Sequence, residues 1–355
     1  RDVTLRTSRR QMYAHQTRGE IREVPATRIV EAYGLRKCPK LVQQIESESL
    51  DVRVRALEVA CAEFCNPAVI AGCVKAGIMR ILPPMAIDVD PATREHASRA
   101  LSIASRDYNG RTALLSSGGI PAIAPALNDS VPVVRANIYQ TLLHASAAAA
   151  GANALVAAGY VAVLVAKLDS ESADLKLMAL RVLGNVVAVS AGLEAAHEAQ
   201  AVVGCVRMLP AAEAEVRREA ATTLGAICFD GTGKFLAIQA DAVARLAILL
   251  DDVHQDVRAA ALGALMSIVT VDAAKRAILS THAIESTVTV LQDGDGPIVL
   301  SALKVLASVA AHPDIRAELK ENPVCLSTIA ELEGSGDTMT AKHAKIARDA
   351  ILWMP

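Results

Sequence analysis

Three sets of residues have the types and spacing to do chemistry. The segment Asp230-Gly231-Thr232-Gly233-Lys234-Phe235 carries a Gly-Lys pair of the kind that cradles phosphate. A phosphate loop needs G-x-x-x-x-G-K-[ST] between a strand and a helix. Here Phe235 replaces the hydroxyl and Cys228 stands where the first Gly belongs, so the segment reads as an inter-helix loop. Cys61 and Cys65 lie four apart on one helical face with Cys73 nearby, a spacing that could hold zinc. No His falls close, so the thiols read as core residues. The eight His are scattered, and none recurs at metal or triad spacing. No acid, base and nucleophile converge. The expectation is a non-enzyme with no catalytic residue, cofactor, metal or small-molecule substrate.

The elements that would position any site follow from composition. The 355 residues hold 36 Lys+Arg and 38 Asp+Glu, a net charge of −2, which argues against nucleic-acid binding through bulk charge. Hydrophobic residues reach 52%, enough for a large core, yet aromatics are 3% and Ala alone numbers 67. Small side chains on this scale suit tightly stacked helices; a β-sandwich needs more aromatics and Thr. Seven Cys without a C-x-x-C pair point to a reduced, cytoplasmic compartment. The sequence opens at Arg1, so a start is expected upstream. The Arg-rich opening lacks an apolar core, so no secretory signal is visible. Ala147 to Ala166 has the length of a membrane span. It is mostly Ala, includes Gly151, Asn153 and Gly159, and stays in phase with its surroundings, so no membrane association is expected.

That phase is a repeat of 41 residues. Stepping by 41 from Arg53 gives Arg94, Arg135, Lys176, Arg217, Arg258 and Val299. Three residues further on, Ala56, Ala97, Ile138, Ala179, Ala220, Ala261 and Ala302 recur; seven further on stand Ala60 and then six Leu, from Leu101 to Leu306. Gly77, Gly118 and Gly159 share a second register, continued by Gln200, Asp241 and His282. Each unit reads as a short helix, a turn, a second helix and a long third helix with apolar residues at helical spacing. Ordering 41 residues costs on the order of 60 kcal/mol, more than one unit can offset alone, so the units must share a core. The basic residue opening each third helix is expected to bond a loop carboxylate or carbonyl of its own or an adjacent unit.

The pattern resembles the armadillo repeat family, with HEAT repeats as close relatives, over roughly residues 36–330. Ser117-Gly118-Gly119-Ile120-Pro121 and downstream Leu127 look like that family's G-G-I-P-x-L-V-x-L-L signature. The expected fold is all-α: an armadillo/HEAT-like right-handed α-solenoid of seven 41-residue repeats plus a partial C-terminal repeat. The units fall at about 36–76, 77–117, 118–158, 159–199, 200–240, 241–281 and 282–322, with the partial repeat at 323–355.

The resemblance implies that third helices line a concave groove. Peptide-holding armadillo proteins carry a Trp and an Asn five and nine residues after the basic position. Here none of the Trp sites is Trp, and only Asn185 matches an Asn site. One rung of an Asn ladder grips an extended strand weakly. The first half of the groove offers His96, Arg99, Arg106, Gln140, His144, Arg181 and Asn185, candidates to bind a polar or acidic partner segment. The second half is small around Ala226, Ala260, Gly263, Ser267 and Ser301.

Residues 1–35 break the pattern as a basic, extended arm. Seven Arg, among them Arg6, Arg9, Arg10, Arg18 and Arg22, stand against four acids, a balance of +3 that leaves the repeat body at −5. The arm is expected to order against an acidic partner surface such as tubulin or a neighbouring subunit. The lead into the first unit contains Tyr33-Gly34-Leu35-Arg36 and Pro39-Lys40-Leu41, and continues to Arg53-Val54-Arg55-Ala56-Leu57. It resembles the first-repeat entry of armadillo-repeat radial spoke proteins of motile cilia. That resemblance implies a non-catalytic structural subunit of the axonemal radial spoke, in the cytoplasm and the axoneme of the cilium or flagellum. Its partners would be other radial spoke or axonemal subunits. The alternative is an armadillo-type cytoplasmic or nuclear peptide-binding adaptor away from the axoneme.

Overall fold

The structure, a computed structural model, describes residues 32–292 and 296–354. The arm residues Arg6, Arg9, Arg10, Arg18 and Arg22 lie outside these. Among the described residues there are helices and no strands. Eight long helices recur: α1 (Leu50–Glu63), α2 (Pro91–Arg106), α3 (Pro132–Ser146), α4 (Ala173–Val186), α5 (Ala214–Ile227), α6 (Gln255–Ile268), α7 (Gly296–Val309) and α8 (Thr338–Leu352). Each packs on the next, with shorter helical segments between. The result is an α-solenoid with one continuous core from Leu41 to Ile351.

The small and large apolar positions of the repeat build that core directly. Ala56, Ala97, Ile138, Ala179, Ala220, Ala261 and Ala302 are fully buried, as are Ala60 and the six phased Leu. Ala lets long helices approach, and Leu four residues on fills the layer beneath. Asp51, Glu215 and Asp256 sit in the first turns of their helices, where a negative charge meets the helix dipole favourably.

The turn register also has a physical cause. Gly77, Gly118 and Gly159 adopt left-handed φ values of 92°, 71° and 74°, and Gln200 and Asp241 follow at 58° and 59°. The last two hold the turn without glycine's freedom, a strained arrangement sustained by the packing around it. His282 leaves the register with φ −84°.

A second glycine period acquires its meaning in three dimensions. A Cβ on Gly110, Gly151, Gly192 or Gly233 would stand only 2.1, 1.8, 2.0 or 2.1 Å from the carbonyl oxygen of Ala104, Ala145, Val186 or Ile227. Each glycine lets the next short helix cross the end of the preceding long one.

The phased basic residues tie the units together. Arg94 Nε meets Asp129 at 2.5 Å, Arg135 Nε meets Glu171 at 3.1 Å, and Arg217 Nε meets Asp252 at 2.7 Å, each reaching the next loop. A second guanidinium nitrogen donates to a carbonyl six residues back: Asp88 for Arg94, Asp129 for Arg135, Ala211 for Arg217. Arg53 and Arg258 donate in the same way to Ser47 and Asp252. Burial favours the neutral acids at Asp129 and Asp252. The Arg hydrogen bonds, a backbone amide and the nearby positive charge outweigh it and hold both below the usual carboxylate range.

The Ala-rich stretch divides into Ala149–Ala157 and Tyr160–Lys167, bent by 83° at Gly159. Among the described residues no single helix is long and apolar enough to cross a membrane.

Candidate interaction face on the long helices

The residues suggested as a polar groove occupy the same face of successive long helices, but not as one uniform set. On α2, His96 Nε2 lies 3.5 Å from Glu58 on α1. Arg99 is exposed, and no hydrogen bond or ion pair joins it to a described residue. Its charge bears on the Cys61 thiol, which burial pushes up to about 11 against the pull of Arg99. Arg106, at the exposed end of α2, likewise makes no side-chain ion pair with a described residue.

On α3 the pair Gln140 and His144 turns inward. Gln140 Nε2 meets His144 Nε2 at 2.8 Å, and His144 Nδ1 meets Ser105 Oγ at 3.0 Å. Ser105 donates its own hydroxyl to Ser102 O. With the Gln140 amide donating as assigned, His144 carries its proton on Nδ1. Burial depresses the His144 pKa, and the charges of Arg106 and Arg111 add to that, which keeps the ring neutral. Both ring nitrogens are thus spent within the protein, leaving His144 a seam residue more than a partner contact.

On α4, Arg181 Nε lies 3.4 Å from Glu219 of α5, and Asn185 donates to Ser146 Oγ at 3.0 Å. Arg181 and Asn185 line one cleft of 430 Å³ together with Gly184, Glu219, Thr222 and Ala226. There the structure brings two candidate residues into one concavity. Sequence reasoning misses Glu219, although it stands two residues after Arg217, in the position that His96 holds after Arg94. The signal is a pairing across units: Glu58 with His96, Arg181 with Glu219.

Beyond this cleft the face is plain. A Cβ on Gly263 would meet nothing within 4 Å. Ser267 and Ser301 return their hydroxyls to carbonyls four residues back on their own helices.

The other chemical candidates resolve differently from their sequence appearance. The Gly-Lys segment is helical, not a loop: Gly231–Gln239 is a helix capped by Asp230, whose carboxylate accepts from Gly233 N at 2.8 Å and meets His197 Nε2 at 3.1 Å. The amide that would cradle a phosphate is therefore taken. Cys65 is exposed and not a core residue, while Cys61 is half-buried and donates to His96 O. No group of three or more metal-ligating side chains occurs among the described residues.

No protein-family model matches this sequence, and no curated protein matches it. The fold has clear counterparts among solved structures. An engineered protein from a structural genomics consortium superposes with a TM-score of 0.84 at 24% identity, over 90% of this chain and 79% of that one. A designed armadillo repeat protein in complex with the peptide (KR)4 gives 0.61 at 22% identity, over 65% of this chain and 99% of that one. Computationally designed armadillo repeat proteins for modular peptide recognition give the same values. The chain has an armadillo-like α-solenoid fold.

Proposed function

We propose that the chain is a non-catalytic protein–protein interaction scaffold that receives a partner segment on the face of its long helices. The observation that carries this reading is the cleft formed by Arg181, Asn185, Glu219 and Thr222, with unpaired Arg99 further along the same face. A solenoid of this kind offers a long surface with no deep enclosed pocket. The designed neighbour with (KR)4 holds a basic peptide. This chain presents Arg99, Arg106 and Arg181 instead, which suits an acidic or polar segment. Within this reading, residues 36–355 form the repeat array in seven units and a partial one, and residues 1–35 form a second, basic contact.

The finer reading places the chain in the axonemal radial spoke as a structural subunit. Its support is the likeness of the Tyr33–Arg36, Pro39–Leu41 and Arg53–Leu57 steps to armadillo-repeat radial spoke proteins. Fractionation of detergent-extracted cilia, with mass spectrometry of co-purifying chains, tests it. A spoke subunit stays with the axoneme alongside other spoke proteins; release with the membrane-plus-matrix fraction overturns the assignment. The second reading is a cytoplasmic or nuclear peptide adaptor, whose support is one Asn, Asn185, at the family's strand-binding positions, with the rest of the Trp and Asn ladder missing. It predicts recovery of short linear segments from cytosol with no axonemal chain.

A further inference from the structure

Among the described residues, one basic position in the series of inter-unit ion pairs has no acid at the matching place on the next loop. Arg94, Arg135 and Arg217 each grip a carboxylate on the next loop, at Asp129, Glu171 and Asp252. Between the second and third rungs the basic residue is Lys176, and the matching loop positions hold Ala211 and Ala212. Lys176 is half-buried and joins no described residue by hydrogen bond or ion pair. The loop has not collapsed into the gap. Arg217 holds the carbonyls of Ala211 and Ala212 at 2.9 and 2.7 Å, as Arg135 holds that of Asp129.

What remains is a cavity of 320 Å³, lined by Lys176, Arg207, Pro210, Ala211 and Glu213 among others. At about 30 Å³ per water, that is room for an acidic side chain and its hydration. Its charged lining is two cations, Lys176 and Arg207, and one acid, Glu213. Lys176 contributes a full charge, and Arg207 a second, shared with Asp169 at 2.9 Å. The N-cap Glu213 makes no side-chain cap, so the first amides of α5 carry no side-chain acceptor there. Glu213 itself is exposed and makes no ion pair with Lys176.

We infer that this gap is a docking site for a carboxylate from outside the chain: an Asp or Glu side chain of an acidic protein segment, which completes the rung the chain leaves open. The site lies where the loops meet the starts of α4 and α5, apart from the cleft at Arg181, so it does not depend on the groove reading.

Fluorescence anisotropy of labelled hexaglutamate with the full chain, at fixed ionic strength, tests this. The wild-type chain is expected to bind. Ala211→Asp supplies the missing carboxylate from within and is expected to weaken binding about tenfold while raising the melting temperature. Lys176→Gln is expected to weaken binding about as much. Thr112→Asp, on an exposed position of the helix Tyr108–Ser116, makes the same charge change and should stay within about twofold of wild type. Absent binding to the wild-type chain overturns the inference. So does unaltered binding in Ala211→Asp or Lys176→Gln, or an equal loss in Thr112→Asp, which would mark bulk charge as the cause.

Discussion

The seams between units and the exposed face of the long helices are made from the same repeat, yet they obey different rules. At the seams, space is closed: Gly151 sits where a Cβ would meet the Ala145 carbonyl, and the Asp252 side chain is 8% exposed beneath Arg217. On the face, space is open: nothing stands within 4 Å of a Cβ on Gly263, and the Arg181 side chain is 39% exposed. Seam residues are constrained by the fold, whereas face residues are not, and under the proposed function they answer to the partner. A change at a seam should therefore be read as stability, and a change on the face as binding.

The sharpest test applies one substitution to both regions. Gly151→Ala forces a Cβ into backbone and should destabilise the chain by more than about 3 kcal/mol, or prevent folding. Gly263→Ala should instead stabilise by roughly 0.5–1 kcal/mol, because α6 gains helix propensity at no steric cost. Urea unfolding of the two variants reads the contrast directly, and equal effects would erase the distinction.

Charge offers a second comparison. Asp252→Ala leaves Arg217 largely buried without its carboxylate and should cost about 2–3 kcal/mol. Arg181→Ala, on a side chain 39% exposed whose partner Glu219 keeps Arg218 at 3.8 Å, should cost less than about 1 kcal/mol in the same denaturation assay.

Acid should act on the seams as well. Asp129 and Asp252 have folded pKa values below their unfolded value of about 3.9. Their contribution is complete above the unfolded pKa and is lost as pH falls through the folded one. Melting temperatures measured between about pH 2 and pH 6 should drop at the acid end. In Asp129→Asn that drop should be shallower, from a lower starting stability.

The smallest effect on stability belongs to the face. The pair Arg99→Glu with Arg181→Glu should leave the melting transition within about 1 kcal/mol of wild type. It should nevertheless weaken pull-down of an acidic partner severalfold. Unchanged partner recovery would remove the first half of the groove from the binding reading.

Much of the seam chemistry is legible in the order of residues alone. The step of 41 residues locates the buried Ala and Leu positions and identifies the basic residues as ties to loop carboxylates and carbonyls. The glycine period at Gly110, Gly151, Gly192 and Gly233 is present in the sequence too, but its meaning needs the distance from each glycine to a carbonyl of the preceding long helix. The Gly-Lys segment misleads because short polar stretches look like loops, and only the Asp230 cap explains why it is helical. His144 reads as a groove contact from its spacing, whereas Ser105 and Gln140 occupy both sides of its ring.

The division has a physical reason. Periodicity records burial, because a position that meets the same neighbour in every unit must keep the same size and polarity. Residue order therefore sets the helices, the shared core and the repeated ties. Exceptions carry no period. Whether Arg181 is free or paired, whether Asn185 faces a partner or Ser146, and whether Lys176 has a carboxylate to grip depend on side chains some forty residues away. Only tertiary packing brings those residues within a few ångströms of one another.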